Sequence, residues 1–431
     1  MKNNQEIQMM RKTNMRIFPL YKKLGWDYLF FYTIDFLFLT QIKGISASDV
    51  VLKSTFYAFF SIIVQIPANI VVEFLGRKNS AILGNILNCI YMVIIMLSRN
   101  LFDLIIAEFF CAIAFSIKNV AEPSLLNESI PPSRYKSKIF SKISAKGASG
   151  YYILNSISKI ISGFLFVING YLPVICSLAI LIIVTILSIG FIEPIKKKKT
   201  NSKLMYREQI KNVKDGFIFI LKSERLKALI LCASLIDALI WILSTYHVSL
   251  QEELRLSSII IGIIAAIGSF ISAYASRTQN KFHERFRNKS LFIISILLSI
   301  STVIAGIFGI KAQGHILLLL IVIATFLIYS FGNGMYSTII DKYLRNFANQ
   351  SIDTKIFAAK NLFRNVFRMI IGILASFLLD KTTTAYCMIV IGIIFTIIFV
   401  LVEKYMKNRV GLKPEEYSKI ERKYDEQKET Q

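Results

Sequence analysis

About twelve stretches of this chain are apolar for long enough to cross a bilayer, and they fall into two sets of six on either side of a lysine-rich loop. A hydrocarbon core of ~30 Å takes about 20 apolar residues per helix. The stretches lie near 24–42, 49–73, 79–98, 101–127, 139–168, 171–191, 226–248, 257–280, 289–310, 314–344, 355–380 and 383–405. A backbone inside lipid must satisfy its own donors and acceptors, so segments of this length joined by short polar turns are expected to be α-helices. The expected fold class is an all-α polytopic membrane protein with twelve transmembrane helices in two six-helix bundles. Its parts are a polar N-terminal arm over 1–23, a first bundle over 24–191, a basic linker over 192–225, a second bundle over 226–405 and a tail over 406–431.

The charge pattern sets the expected orientation. Formal net charge is +24, from 51 Lys and Arg against 27 Asp and Glu. A large excess of this kind raises the possibility of nucleic-acid binding, but the basic residues gather in alternate loops between apolar runs. About 37 fall on the side of the N-terminal arm, whereas the opposite side holds roughly five, namely Lys43, Arg99, Arg255, Lys311 and Lys381. The positive-inside rule then expects a multi-pass protein of the plasma membrane with both termini cytoplasmic, and no nucleic-acid partner.

The linker opens with Lys196 to Lys199 and then carries Leu204, Ile210, Val213, Phe217, Ile218 and Leu221 at near-helical spacing. That predicts an amphipathic helix lying on the inner leaflet, in contact with membrane lipid. Five cysteines, all in apolar runs and widely spaced, predict neither a disulfide framework nor a zinc site. No phosphate-binding Gly-rich loop and no His-Glu-x-x-His is present, and the three histidines (His247, His283 and His315) form no catalytic grouping; His247 is expected at the outer interface. The chain is therefore read as a non-enzyme, with no cofactor and no metal.

The two halves match weakly but in order. Ile34-Asp35 in the first segment corresponds to Ile236-Asp237 in the seventh. Ser116, Asn119, Ser124 and Asn127 in the fourth correspond to Ser330, Asn333, Thr338 and Asp341 in the tenth. Lys138-Ile139-Phe140 corresponds to Lys355-Ile356-Phe357. Repeated halves are characteristic of secondary transporters.

Between the second and third segments stands Asn69-Ile70-Val71-Val72-Glu73-Phe74-Leu75-Gly76-Arg77-Lys78. Together with the six-plus-six pattern and the basic central loop, this resembles the major facilitator superfamily, bacterial drug-efflux-like members in particular. That family's motif reads Gly, three residues, Asp, a basic residue, one residue, then Gly and two basic residues. Glu73, Gly76, Arg77 and Lys78 match; Asn69 replaces the first Gly and Phe74 the first basic residue. The resemblance covers about residues 20–405 and implies a cytoplasmic gate at this motif. Lacking that resemblance, the same residues read as a basic topological anchor.

Ionisable residues at membrane depth cost roughly 2.5–3.5 kcal/mol each, so they face a cavity or a partner. The acids are Asp35, Glu108, Glu122 and Asp237; the bases are Lys118, Lys142, Lys146, Lys159, Lys360, Arg364 and Arg368. Asp35 and Asp237 lie near the middle of their segments and are the candidates for proton coupling, the alternative being fixed ion pairs. Lys118 and Glu122, four apart, share a helix face before a kink at Pro123. Lys360, Arg364 and Arg368 form a stripe suited either to an anionic substrate or to neutralising Asp237. Lys118, Glu122, Lys146, Arg364 and Arg368 are thus candidates for the substrate path or for switching ion pairs. Glu108 is expected near the outer end, in contact with interfacial water.

The function expected from these features is secondary active transport by alternating access. It is read as proton-coupled export of a small amphipathic molecule, with protons as coupling ion and the protein a monomer. The alternatives are uptake or exchange of a small organic anion, and a non-transporting sensor or accessory protein.

Overall fold

The computed structural model describes residues 4–193, 202–347, 353–407 and 409–410, all of them helices and their connections, with no strand among the described residues. In chain order the helices are α1 (Asn4–Gly25), α2 (Asp35–Leu37) running into a π-helix (Phe38–Ile42), α3 (Ala47–Leu75), α4 (Arg77–Leu97), α5 (Leu101–Ser129), α6 (Lys136–Ile168) and α7 (Leu172–Ile189). They continue with α8 (Ser202–Lys222), α9 (Glu224–Glu253), α10 (Ser258–Phe286), α11 (Ser290–Gly309), α12 (Ile316–Phe347), α13 (Asp353–Lys381) and α14 (Thr384–Lys407). Helix starts carry side-chain caps where the chain turns: Ser46 accepts from Asp49 N–H, Asn100 from Asp103 N–H and Ser223 from Leu226 N–H.

Among the described residues, ten helices are long and apolar enough to cross a membrane: α3, α4, α6, α7 and α9 to α14. Helix α5 has the length but carries Glu108, Lys118 and Glu122 along its middle. The first expected segment, 24–42, departs further from expectation because it is not one helix. Helix α1 begins twenty residues earlier than expected, at Asn4 rather than residue 24, and ends at Gly25; residues 26–34 are turns and bends, and helix resumes at Asp35. Most of the stretch read as a polar arm is therefore helix. The reason lies in its spacing: Asn14, Phe18, Tyr21 and Gly25 recur at helical period and are buried, while Lys12 and Arg16 point outward.

The chain forms two compact units. One comprises Met1–Gln209 with Ser257–Ala266, the other Ile210–Leu256 with Ile267–Gln431. The first unit is centred on Phe18, Tyr21, Leu125, Leu126, Ile130, Val184 and Phe191, where the Tyr21 and Phe191 rings meet edge-on at 5.1 Å. The start of α10 belongs to this unit through Ser258, whose hydroxyl donates to the Gly163 carbonyl at 2.9 Å. In the second unit α9 is enclosed along most of its length. Tyrosines tie it to its neighbours: Tyr246 donates to the Ala375 carbonyl at 2.7 Å, Tyr329 to Ile240 at 3.0 Å and Tyr336 to Ala233 at 2.7 Å. Helices α11 and α14 meet backbone to backbone; a Cβ on Gly306 would stand 2.5 Å from the Ala385 carbonyl oxygen, so only glycine admits this approach. The linker helix expected from apolar spacing is α8, which exposes Ile210, Phe217, Ile218 and Leu221.

Candidate functional site

In the first unit, Lys53 of α3 is the centre of a buried cluster. Its Nζ lies 2.9 and 2.8 Å from the two carboxylate oxygens of Asp35 and 3.6 Å from Glu108 Oε1. Lys53 is 3% exposed and Glu108 4% exposed. The lysine also stands over the Phe31 ring, 5.9 Å from its centroid. Glu108 was expected near interfacial water; it is instead enclosed, because Lys53 reaches it from the facing helix. Asp35 occupies the first turn of the resumed helix, directly before the π-helix, a distortion that often accompanies functional positions.

A second cluster surrounds Glu122 of α5. Tyr21 donates to its Oε1 at 2.7 Å, Lys22 pairs with its Oε2, and Lys118 stands 3.7 Å away. Tyr21 also bonds Asn85, 3.0 Å away. Lys118 turns its other side to the main chain and donates to the Gly25 carbonyl at 3.0 Å. The pair predicted from four-residue spacing is therefore one part of a network that also ends α1. Lys146 is exposed on α6 and joins neither cluster.

The motif turn is built around a carboxylate. Gly76 has φ 88° and ψ 167°, a conformation that is essentially glycine's alone. Glu193, beyond α7, accepts from Arg77 N–H at 2.8 Å and Lys78 N–H at 2.7 Å, so it caps α4 with both oxygens. The Arg77 guanidinium reaches Glu73 at 2.7 Å, Glu128 at 3.3 Å and the Val72 carbonyl at 3.2 Å. Asn69, where the family has glycine, is half-buried one turn before Glu73, and Phe74, in place of a basic residue, is exposed.

In the second unit Arg368 of α13 pairs with Asp237 of α9 at 2.7 Å and stacks its guanidinium over Trp241, 5.7 Å from the ring centroid. This is one of the two arrangements read from the cationic stripe. Arg364 stands one turn earlier on α13, and between the two Asn365 is buried with its Oδ1 lacking a hydrogen-bond partner among the described residues. His247 was expected at an interface; it is buried between Phe326 and Tyr329, with ring centroids 4.4 and 4.5 Å away.

Sequence reasoning missed Lys22 and Lys53. Lys53 had a signal, since a lysine inside the apolar run from Val50 to Phe60 needs an acid. No metal-holding group of His, Cys, Asp or Glu occurs among the described residues.

Membrane-length helices in two units, each with ion pairs in its interior, mark an integral membrane protein. The chain belongs to the Major Facilitator Superfamily, whose model matches residues 26–352. Similar solved structures include the nucleoside transporter NupG (11% identical, TM-score 0.67, covering 94% of this chain and 100% of that one). A POT family transporter in complex with a thioalcohol-conjugated peptide is 14% identical, with TM-score 0.64, over 94% of this chain and 96% of that one. The xylose transporter XylE from E. coli, in a partially occluded inward-open conformation, is 13% identical, with TM-score 0.65, over 94% and 99%. Identities this low show a shared fold. No curated protein matches the sequence.

Proposed function

We propose that this protein is a secondary active transporter with twelve crossings that exports a small amphipathic molecule in exchange for protons. Helix α5 and the broken segment from α1 through the π-helix complete the twelve. The observation that carries the coupling is the arithmetic at Lys53: one buried ammonium faces two carboxylates, the buried Glu108 and the partly buried Asp35. With all three ionised the cluster holds a net negative charge in a medium that penalises it, and one added proton makes it neutral. Asp35 is the better-paired acid, and Glu108, at 3.6 Å, is the one the proton reaches at least cost.

Asp237 and Arg368 form a balanced pair, so protonation of Asp237 frees the guanidinium. In this reading Arg364 and Arg368 then line the substrate path, Lys118 and Glu122 re-pair as α1 moves, and Lys146 contributes only where α6 meets the path. Asn69, Glu73, Gly76, Arg77 and Lys78 form the cytoplasmic gate. Both termini are cytoplasmic, the protein sits in the plasma membrane, and it works as a monomer.

A second reading, exchange of an organic anion, draws on Lys360, Arg364 and Arg368 along one face of α13. One experiment separates the two. Purified protein is reconstituted into vesicles with an imposed pH gradient and exposed to cationic, neutral and anionic compounds. Proton coupling predicts substrate-dependent proton movement that Glu108→Gln abolishes and that Asp35→Asn reduces. If no compound moves protons, coupling is lost as an explanation. Transport of an anion that survives Asp35→Asn but not Arg364→Ala would put the second reading in its place.

A further inference from the structure

The break between α1 and α2 is a constructed feature. Non-helical backbone at membrane depth persists only where protein or a water-filled cavity satisfies it. Here two neighbouring helices do so. Lys118, midway along α5, donates to the Gly25 carbonyl at 3.0 Å, and Ser162 of α6 donates to the Phe30 carbonyl at 2.7 Å. Asp27 completes the turn by accepting from Tyr28 N–H at 3.0 Å.

Around Asp27 the chain places a group of flat rings, of which Tyr151 is buried and Trp26, Tyr32 and Tyr152 stay open. Trp26 stacks on Tyr151 with centroids 5.8 Å apart and planes 21° from parallel, and Tyr152 meets both at 6.4 and 5.5 Å. Trp26 is 38% exposed, Tyr32 46% and Tyr152 56%. The hydroxyls of Tyr32 and Tyr151 lie beside the partly buried Asp27 carboxylate, and Lys118 and Lys159 are near enough to act on its charge. Lys22 Nζ stands 4.8 Å from the Trp26 centroid. Carboxylate and ammonium groups this close to the open rings argue against hydrocarbon as their solvent, so this aromatic surface faces a polar space.

From this arrangement we infer that the break is a recognition site for a planar aromatic ring bearing a hydrogen-bond donor. The ring packs against Trp26, Tyr32 and Tyr152, and its donor is received by Asp27. Exposed π-faces supply sequence-tolerant stacking, and a carboxylate at their centre supplies direction. The inference rests on the transporter reading and adds to it a substrate class.

The chain has two tryptophans, Trp26 and Trp241, so Trp241→Phe leaves Trp26 as the sole reporter. Its emission is followed in micelles, without any gradient, while three probes are titrated. These are 2-aminobenzimidazole (planar, with donor), benzoate (planar, without donor) and cyclohexylamine (donor, not planar). Saturable quenching by 2-aminobenzimidazole is expected, weakened roughly ten-fold or more by Asp27→Asn, the worth of one hydrogen bond to a charged acceptor. Tyr152→Leu, at an exposed position, should weaken it as well without disturbing the fold. Benzoate and cyclohexylamine should each bind at least that much more weakly. Equal binding of the three probes, indifference to both substitutions, or no saturation overturns the inference. Proton movement driven by compounds that leave Trp26 unaffected would remove this site and keep the coupling; ring binding without proton movement would do the reverse.

Discussion

At the scale of single residues, the ionised groups inside this protein are arranged by number as much as by distance. Lys53 serves two acids, and removing it leaves the buried Glu108 and the partly buried Asp35 without their shared cation. Breaking a buried pair in this way costs about 3–5 kcal/mol. Lys53→Met should therefore lower the melting temperature of the purified protein steeply, and adding Asp35→Asn with Glu108→Gln should recover most of the loss. A triple variant as unstable as Lys53→Met would mean that the lysine's role there is packing. Gly76 poses a similar question at the motif turn, where a Cβ would stand 2.8 Å from Glu193 Oε1 in a backbone conformation costing about 1–3 kcal/mol for other residues. Gly76→Ala and Glu193→Ala should each destabilise the protein, and the double variant should lose less than their sum, because both remove the same cap. Strict additivity in denaturant melts would separate the two. Which of these contacts was legible in the sequence follows from spacing. Lys118 and Glu122 are a turn apart on one helix, and Asp237 had a ready cation in the α13 stripe. Lys53 and Asp35 meet across two helices, and Glu193 meets Gly76 across more than a hundred positions. No period along the chain records such meetings.

At the scale of an element, the discontinuous first segment shows how tertiary contacts override a local pattern. Trp26-Asp27-Tyr28-Leu29-Phe30-Phe31-Tyr32 contains no proline and reads as one apolar run, so nothing in it announces a break. The break exists because Lys118 and Ser162 supply the donors that helix geometry would otherwise provide. At its centre Phe30 takes φ 68°, in the left-handed region. That conformation costs a residue with a Cβ about 1–2 kcal/mol, asparagine less than most and β-branched residues more. Phe30→Val should accordingly be less stable than Phe30→Asn by about 1 kcal/mol, although valine is the more apolar side chain. Thermal unfolding of the two variants in one detergent makes the comparison. A more stable valine variant would indicate that residues 26–34 relax into ordinary helix. By contrast, α3, α4 and α11 ran close to their expected limits, since each is bounded by a turn and filled by apolar residues of adequate length.

At the scale of the whole molecule, the two halves share a pattern that the structure fills differently. Asp35 and Asp237 occupy matching positions in sequence, yet Asp35 follows a break and pairs with a lysine on α3, whereas Asp237 lies within the continuous α9 and pairs with an arginine on α13. A repeat preserves where an acid stands more readily than it preserves the acid's partner. Orientation is the property of the whole chain that the loop charges predict most directly. Arg99 lies exposed in the turn between α4 and α5, and Arg134 lies exposed between α5 and α6. The 29 residues of α5 separate those turns by about 43 Å at 1.5 Å per residue, enough to span the hydrocarbon core. The charge-poor side, which holds Arg99, should face outward and the side of Arg134 inward. In a background with Cys89, Cys111, Cys176, Cys232 and Cys387 replaced, Arg99→Cys should react with a membrane-impermeant maleimide on intact cells. Arg134→Cys should react only once the membrane is opened. The opposite pattern would invert the protein. Labelling of both from outside would show that α5, with Glu108, Lys118 and Glu122 in its middle, does not cross the bilayer, and the twelve-crossing arrangement would fall with it.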